Sequence, residues 1–263
     1  MSKPKTIVVG AGIVGVSAAI WLKRAGHDVT LIDKGAPGMG ASYGNAGILA
    51  SCSVVPVTAP GLALKAPMML LDANFPLFLR WAYLPKLAPW LLRYMSHAND
   101  NDTRRIARGL APIIGDSLQQ HQALTSGTDA GKWIQESDYI FAYRDRAAYE
   151  ADAYTWELRR LAGFVPELIQ GDAVQDAEPI LSRDIKLLAV MKNHGFILNP
   201  GSYVADLARV FQEMGGTLVQ ASVRNFDLSG GHIRAVDTDQ GRFDCDQAVL
   251  ATGVWSKIGR AHV

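Results

Sequence analysis

Cysteine is the scarcest informative residue in this sequence. Its 263 residues include only two, Cys52 and Cys245, and neither belongs to a C-x-x-C pair or to a cluster with histidines. This spacing argues against a disulfide framework and a structural zinc site, and it suits a reducing compartment such as the cytoplasm. We therefore expect both thiols to be buried as small apolar groups.

The sequence also lacks an excess of positive or negative charge. Lys and Arg number 26 and Asp and Glu number 25, so the net charge at pH 7 is only +1. Such a composition is not suited to neutralising the phosphates of a nucleic acid, and we expect no nucleic-acid partner. The histidines show no metal-ligand spacing and no G-x-S-x-G is present. We expect neither a metal centre nor a covalent hydrolase.

Signals for export or for crossing a membrane are missing as well. The N-terminus has no small-residue cleavage site, so we expect no secretory leader. The stretch 35–64 is uncharged, but its prolines, glycines and Ser/Thr residues are not those of a membrane-spanning helix. We expect an irregular loop over 35–60, and a loop of that length is usually functional.

Apolar residues, in contrast, make up 49% of the chain, enough for a sizeable core in one large or two modest domains. Residues 6–9 form a β-branched run without polar alternation, which predicts a parallel strand buried on both faces. A helix is predicted over 13–25, with Gly26 as its stop, followed by a second buried strand over 29–32. This order is the βαβ unit of a doubly wound sheet, and it predicts an α/β fold.

The turn between the first strand and the first helix carries the chemical signal. It reads G-x-G-x-x-G and comprises Gly10, Ala11, Gly12, Ile13, Val14 and Gly15. The first glycine permits the tight turn, the second lets the backbone approach a pyrophosphate, and the third lets the helix pack closely on the strand. The helix N-terminus adds free N–H groups and the positive end of the helix dipole. The motif therefore predicts a dinucleotide site.

Asp33 supports this prediction and refines it. It stands 18 residues beyond Gly15, at the end of the second strand, where a carboxylate can accept hydrogen bonds from the adenosine ribose hydroxyls. An unphosphorylated ribose is implied. The motif and Asp33 do not distinguish NAD from FAD, because both cofactors present a pyrophosphate and an adenosine to this surface.

The rest of the chain predicts a second sheet and then a return to the first. The elements expected in the middle are short broken helices over 66–95, single helices over 102–125 and 147–162, and strands over 133–143 and 185–198. The elements expected after them are a helix over 202–214, a strand over 217–221, hairpin-like strands near 230 and 241, and a buried strand over 248–253.

Four segments together resemble the D-amino-acid oxidase family of flavoproteins, and within it the small-subunit type of D-amino-acid dehydrogenase. They are residues 7–33, 42–47 (SYGNAG), 59–65 (APGLALK) and 251–256 (ATGVWS). The resemblance implies FAD as the cofactor. It also implies a Rossmann-like FAD-binding domain formed by residues 1–48 and 199–257, and a second α+β substrate domain over 49–198.

The resemblance implies roles for residues around the glycine motif. Residues 10–15 and Asp33 would hold the pyrophosphate and ribose of FAD, with Lys34 beside the adenosine. Ser42 would meet the pyrophosphate. The family more often has Glu where this chain has Asp33, which makes the geometry at the ribose less certain. For Ser42, ordinary turn chemistry is the alternative.

The resemblance also implies roles further along the chain. Asn45, Ala46 and Gly47 would lie along the flavin ring, although Asn45 is also a common turn residue. The backbone of Val223 would contact the adenine. Gly253 would be a second close glycine approach to the cofactor.

The activity implied is oxidative deamination of D-amino acids by hydride transfer to the flavin. The electrons would pass to a quinone-type acceptor, with the protein in the cytoplasm or peripheral on the inner face of the membrane. Family members continue beyond the length of this chain and supply their substrate anchors there, so we expect both domains to be incomplete and assign no catalytic residue. Residues 258–263 resemble the in-frame translation of a sequencing-library adapter, and we expect the native sequence to end near Lys257.

Other interpretations remain open at this point. A glycine or sarcosine oxidase would keep the flavin and change the substrate, and a non-catalytic nucleotide-binding subunit or an inert fragment would keep only the fold. A nicotinamide dehydrogenase leaves residues 42–47 and Gly253 unexplained. The aromatic and basic stretch 75–94, which includes Phe78, Trp81 and Trp90, is either substrate-domain core or a patch that meets a membrane.

Overall fold

The computed structural model of the protein describes residues 3–61 and 80–259. The strands in chain order are β1 (Lys5–Val9), β2 (Asp28–Asp33), β3 (Ile48–Leu49), β4 (Ile134–Tyr143), β5 (Glu167–Gln170), β6 (Leu187–Ile197), β7 (Thr217–Gln220), β8 (Val223–Ser229), β9 (His232–Thr238), β10 (Gly241–Asp244) and β11 (Gln247–Leu250). The α-helices are α1 (Ile13–Arg24), α2 (Leu84–Ser96), α3 (Asp100–Ile114), α4 (Ser117–Thr125), α5 (Arg146–Ala151), α6 (Ala153–Leu161), α7 (Ala173–Ala177) and α8 (Pro200–Glu213). Short 3-10 helices span Trp81–Tyr83, Asp129–Trp133 and Gly253–Gly259.

The chain divides into two compact units. The first comprises residues up to 49, residues 119–136 and residues from 195 onward; the second comprises 50–118 and 137–194. The stretch 119–136, expected in the substrate domain, thus lies in the first unit. The domain limits implied by the family resemblance remain a prediction.

The first unit is built on a parallel sheet in the order β11-β1-β2-β7. Val8, Leu31 and Ile32 are fully buried in its two central strands, which explains why those strands have no polar alternation. Helix α1 follows β1 and ends at Arg24, and Gly26 then adopts the left-handed conformation with φ +89°. The βαβ unit predicted from the sequence is confirmed.

The rest of the first unit also follows the sequence. Helix α8 packs on α1, and its N-terminus is capped by the Asn199 side chain, which accepts a hydrogen bond from the Ser202 N–H. Strands β8, β9 and β10 form an antiparallel sheet in the order β10-β9-β8, as the glycines near 230 and 241 predict. Cys245 is buried in the core between this sheet and the parallel one, as expected for a small apolar group.

Most of the substrate-side sheet expected from the sequence lies in the second unit. In this sheet β6 lies between β3 and β4, and β5 pairs antiparallel with β6. Strand β3 and the ends of β4 and β6, residues 134–136 and 195–197, belong to the first unit. The core beside this sheet is aromatic, with Trp156 fully buried against Tyr149 and the buried thiol of Cys52. Strands β3 and β5 and helix α7 were not predicted from the sequence.

Three helix predictions need correction. The single helix over 102–125 is wrong, because α3 ends at Ile114 and Gly115, a poor helix former, separates it from α4. The single helix over 147–162 is wrong as well, because the chain breaks at Asp152, which ends α5 and precedes α6. Part of the broken helices over 66–95 lies outside the described residues. The described part is the short 3-10 helix Trp81–Tyr83 followed by one continuous helix, α2, in which Pro85 occupies the first turn, where no N–H is needed.

Two features are absent from residues 3–61 and 80–259. No helix there is long and apolar enough to cross a bilayer. No group of three or more His, Cys, Asp or Glu residues could hold a metal ion there.

Candidate functional site

The turn between β1 and α1 is shaped by two glycines that cannot be replaced without moving the backbone. Gly10 has φ +106°, and a Cβ added to it would lie 2.5 Å from the carbonyl oxygen of Ala251. A Cβ on Gly15 would lie 1.8 Å from the carbonyl oxygen of Gly10. Any side chain at either position would therefore separate α1 from β1 or β1 from the chain after β11.

The first turn of α1 presents backbone donors. Gly12 is the extended residue before the helix, and its carbonyl accepts the first helical hydrogen bond from the Val16 N–H at 3.0 Å. In the part of the chain that the structure describes, the N–H groups of Gly12 and Val14 have no acceptor. These donors and the helix dipole make the turn suited to an anion.

Ser42 closes the same turn from the following loop. Its side chain is buried, and its Oγ accepts a hydrogen bond from the Ile13 N–H at 3.0 Å. Among the described residues no group accepts the Ser42 hydroxyl proton, so the hydroxyl keeps a donor. A Cβ on Gly12 would lie 3.3 Å from this oxygen, which shows how closely the two segments approach.

Asp33 ties the glycine turn to the end of β2. One carboxylate oxygen accepts a hydrogen bond from the Ala11 N–H at 2.7 Å and the other accepts one from the Gly35 N–H at 2.9 Å. Its carbonyl accepts from the Ala221 N–H at 2.8 Å, where the chain leaves β7. Each carboxylate oxygen retains a lone pair, so the side chain is oriented by the backbone and can still accept from a ligand hydroxyl.

The loop over Asn45, Ala46 and Gly47 is held by its own turn. The Asn45 side-chain oxygen accepts from the Gly47 N–H at 2.8 Å, which is the turn chemistry weighed for this residue. Gly47 has φ +67°, and a Cβ there would lie 2.4 Å from the carbonyl oxygen of Ile197 at the end of β6. The side chains of Asn45 and Ala46 are exposed.

Three more predicted residues lie in the same unit. Lys34 follows β2, and its ammonium group lies 4.6 Å from the centroid of the Trp255 ring. Val223 begins β8 and packs, partly buried, against the core below the parallel sheet. Gly253 is exposed with φ +55° at the start of the last 3-10 helix, just after Ala251, which contacts Gly10.

The structure therefore places every predicted site residue in the first unit and brings many of them together. Direct contacts join Ala11 to Asp33 and Ile13 to Ser42. Three contributors were missed from the sequence: the Gly35 N–H on Asp33, the Ala251 carbonyl beside Gly10, and the Trp255 ring beside Lys34. Ala251 and Trp255 had a signal, because both lie in the segment 251–256 that resembles the flavoprotein family.

Comparison with known families assigns a class to this arrangement. A family model described as FAD dependent oxidoreductase matches residues 5–263. Among curated proteins, the chain is 38% identical over 259 residues to a protein named D-amino-acid oxidase from Bradyrhizobium diazoefficiens, covering 97% of this chain and 61% of that protein. It is 26% identical over 253 residues to a protein named D-amino acid dehydrogenase from Helicobacter pylori, covering 95% of this chain and 60% of that protein.

Solved structures support the same fold. The L-amino acid deaminase of Proteus vulgaris, in a form lacking its specific insertion sequence, superposes with a TM-score of 0.65 at 18% identity, covering 97% of this chain and 55% of that one. The glycine oxidase of Bacillus cereus superposes with a TM-score of 0.60 at 20% identity, covering 96% of this chain and 56% of that one. At these identities the likeness concerns the fold. The chain spans about three fifths of the length of the curated relatives it matches.

Proposed function

The chain belongs to the DAO family of FAD dependent oxidoreductases, and from that premise we propose that the whole protein oxidises D-amino acids and passes the electrons to a quinone-type acceptor at a membrane surface. The observation that carries the proposal is the glycine turn with its unpaired N–H groups at Gly12 and Val14. The names of the relatives, D-amino-acid oxidase and D-amino acid dehydrogenase, support the substrate class.

The residues present fit the FAD pyrophosphate. Gly12 offers an N–H without a side chain in front of it, Val14 offers a second N–H, and Ser42 offers a hydroxyl proton. All three are donors at the positive end of α1, so they would bind two phosphate charges without a basic side chain. Ala11 and Ile13 already use their own N–H groups to fix Asp33 and Ser42 in place.

The residues at the end of β2 fit the adenosine. Asp33 would accept from the ribose hydroxyls with its remaining lone pairs, while its bonds to backbone N–H groups keep the carboxylate from turning away. Lys34 and Trp255 would flank the adenosine, and the backbone at Val223 would meet the adenine.

The flavin end is assigned to the loop over Asn45, Ala46 and Gly47 and to Gly253. Bound FAD supplies the hydride acceptor for the Cα–H of the amino acid, and the protein orients the substrate and excludes water. The internal Asn45 hydrogen bond and the close approach of Gly47 to Ile197 fix these two residues relative to each other and to the end of β6.

Oxygen is a second candidate for the electron acceptor. The relative at 38% identity is named an oxidase, whereas relatives named dehydrogenase match at 25–30%. The higher identity to the protein named an oxidase favours oxygen, whereas the names of the dehydrogenases favour an acceptor other than oxygen. Measuring oxygen uptake and reduction of a water-soluble quinone analogue with the same reduced enzyme separates the two.

The first experiment is a visible absorption spectrum of the purified chain after FAD is added and the excess removed. We expect retained flavin absorption, and bleaching by D-alanine but not by L-alanine under anaerobic conditions. Gly12→Asp places a negative charge against the pyrophosphate and should weaken FAD binding by about 100-fold or more. Gly109→Asp is the matched control, because Gly109 lies in α3, outside the residues assigned to FAD, and a Cβ on it meets no atom within 4 Å.

Two outcomes would contradict the proposal. If Gly12→Asp and Gly109→Asp bind FAD equally well, the glycine turn is not the pyrophosphate site. If FAD is retained but no D-amino acid bleaches it, even in a longer form of the protein, the substrate assignment fails while the cofactor assignment stands.

A further inference from the structure

The segment 80–96, formed by the first of the short 3-10 helices and α2, carries large apolar side chains that its own unit leaves uncovered. No side chain of residues 81–96 is fully buried. Trp81 is 63% exposed, Trp90 is 58% exposed and Leu92 is 73% exposed. The interpretation of this stretch as substrate-domain core is therefore wrong for its described part; Phe78 lies outside the described residues.

The exposed side chains of α2 form one face. Lys86, Trp90 and Arg93 follow each other at helical spacing (i, i+4, i+7), and all three are exposed. Leu84, Leu87 and Leu91 lie on the other side and are half-buried. Trp90 is stacked on Tyr94 with ring centroids 4.9 Å apart, which holds the indole on the outer face.

The charge of this face has one sign. The basic residues Arg80, Lys86 and Arg93 lie in the stretch 80–99, which contains no carboxylate at all. The next acidic residues, Asp100 and Asp102, are bound by Arg104 and Arg105. The face is therefore cationic as well as aromatic, although the whole chain has a net charge of only +1.

We propose that residues 80–96 form a docking surface for an anionic lipid bilayer, on which α2 lies in the plane of the headgroups. Trp and Tyr are the side chains preferred at that depth, and Lys and Arg complement lipid phosphates. A protein partner with an apolar groove would bind the aromatic side chains, but it would not explain three basic residues in a stretch, 80–99, that contains no carboxylate. This inference rests on the proposed function, in which the electron acceptor lies at a membrane surface. It adds which residues of the protein would meet that membrane.

Vesicle sedimentation of the full chain tests the surface. We expect the chain to sediment with vesicles of phosphatidylcholine mixed with phosphatidylglycerol, to stay in solution with phosphatidylcholine alone, and to be released by salt. Each basic side chain near an anionic surface is worth about fivefold in binding, so Lys86→Gln/Arg93→Gln should bind about 30-fold more weakly. The conservative exchange Lys86→Arg/Arg93→Lys should bind normally.

The matched control is Arg183→Gln/Lys186→Gln, which removes the same charge from exposed positions of the same unit. A second readout is quenching of tryptophan fluorescence by brominated lipid, which Trp81→Phe/Trp90→Phe should abolish. This readout uses variants that keep every charge, so it stands even if the neutralised variant fails to fold.

Three results would overturn the surface: no sedimentation with anionic vesicles, equal losses in the neutralised variant and its control, or a dimer in solution that the Trp81→Phe/Trp90→Phe exchange dissociates. Flavin bleaching by D-alanine is measured on the same samples. If the unsubstituted chain is bleached by D-alanine but does not bind anionic vesicles, the docking surface alone is overturned. If it binds the vesicles but D-alanine does not bleach it, in a longer form of the protein as well, the proposed activity alone is overturned.

Discussion

Two regions of this molecule are held together in different ways. The glycine turn of the first unit is closed by backbone atoms, since the carbonyl oxygens of Gly10 and Ala251 leave no room for a Cβ on Gly15 or Gly10. The aromatic core of the second unit is closed by side chains. There the Arg159 guanidinium lies 4.4 Å from the Phe141 ring and 4.6 Å from the Trp156 ring. In the turn, a single added methyl group is therefore enough to disturb the structure. In the core, the structure depends on the presence of whole aromatic rings.

The second region also depends on contacts between distant segments. His194 is buried between Tyr139 and Phe164, and its Nε2 accepts a hydrogen bond from the Cys52 N–H at 3.0 Å, across 142 residues of sequence. Its Nδ1 lies 2.9 Å from the Lys192 carbonyl. The ring therefore joins the loop after β3 to β6 through both of its nitrogens.

The largest effect is expected in the core of the second unit. Trp156→Ala removes a fully buried ring, and the free energy of unfolding should fall by about 3–5 kcal/mol. Trp90→Ala, at an exposed position, is the control and should change it little. Thermal unfolding followed by circular dichroism measures both, and equal effects of the two exchanges would show that Trp156 does not organise the core.

A somewhat smaller effect is expected from one methyl group in the turn. Gly15→Ala should destabilise the first unit by about 3 kcal/mol, because the new Cβ must displace backbone rather than a flexible side chain. It should also weaken FAD binding. Gly109→Ala, in α3, has open space around its Cβ and should neither lower stability nor weaken FAD binding. If both exchanges are tolerated alike, the turn is not held by its backbone contacts.

The next effect is expected from His194→Phe, which should lower the free energy of unfolding by about 2 kcal/mol. The exchange keeps an aromatic ring but leaves the buried Cys52 N–H without its acceptor. His194→Gln places a carbonyl oxygen near the position of Nε2 and should recover part of the loss. Urea unfolding of the three proteins tests this order. A Gln variant no more stable than the Phe variant would argue that packing, not the hydrogen bond, is what His194 provides.

The hydrogen bond from the Ile13 N–H to the Ser42 Oγ should contribute about 1 kcal/mol to the free energy of unfolding. This is the usual contribution of a side-chain oxygen that accepts from the first turn of a helix. Ser42→Ala should lower the melting temperature slightly and FAD affinity more clearly, since it removes both the acceptor for Ile13 and the free hydroxyl donor. Ser42→Thr keeps both and serves as the control. An unchanged affinity in Ser42→Ala would exclude Ser42 from the cofactor site.

The smallest effects are expected in the pH dependence of stability, which should differ between the two units. Burial lowers the pKa of His121 in the first unit, so the stability it supports is present above its ordinary value of 6.5 and is lost as the pH falls below it. Burial, followed by the Asp152 carboxylate, raises the pKa of Tyr143 in the second unit to about 12. Its contribution is present below the ordinary value of 10.0 and is lost as the pH rises from there toward 12.

Melting curves across pH, compared with those of His121→Gln and Tyr143→Phe, test this assignment. Each variant should flatten only its own side of the stability profile. If His121→Gln leaves the acid side unchanged, the loss of stability there comes from other groups.

The same contrast explains what could be predicted from the sequence. The glycine turn, the strands around it and the position of Asp33 at the end of β2 follow from short-range patterns, because the backbone geometry of βαβ units admits few residues at those positions. The contact of Ser42 with Ile13 spans 29 residues. No local pattern encodes this contact, and the family resemblance implied only that Ser42 would meet the pyrophosphate.

The errors of sequence analysis lie where tertiary contacts override local propensity. The apolar pattern continues through Asp152, but the Tyr143 hydroxyl bonds to the Asp152 carboxylate where the chain changes direction. Strand β5 has only four residues and is defined by its pairing with β6. Trp255 lies beside Lys34 only because two distant segments meet after β2 and β11.

The neighbourhood of β1 and β11 has a consequence for the order in which the molecule folds. The two strands pair in parallel, and the Lys5 N–H donates to the Asp246 carboxylate across 241 residues. During synthesis at ordinary rates β1 must wait on the order of ten seconds to a minute for this neighbour. The glycine turn lacks Ala251 throughout that interval. Strand β1 thus lacks one of its two neighbours until a segment 241 residues later has been made, and until then its apolar edge is available to chaperones or to another nascent chain.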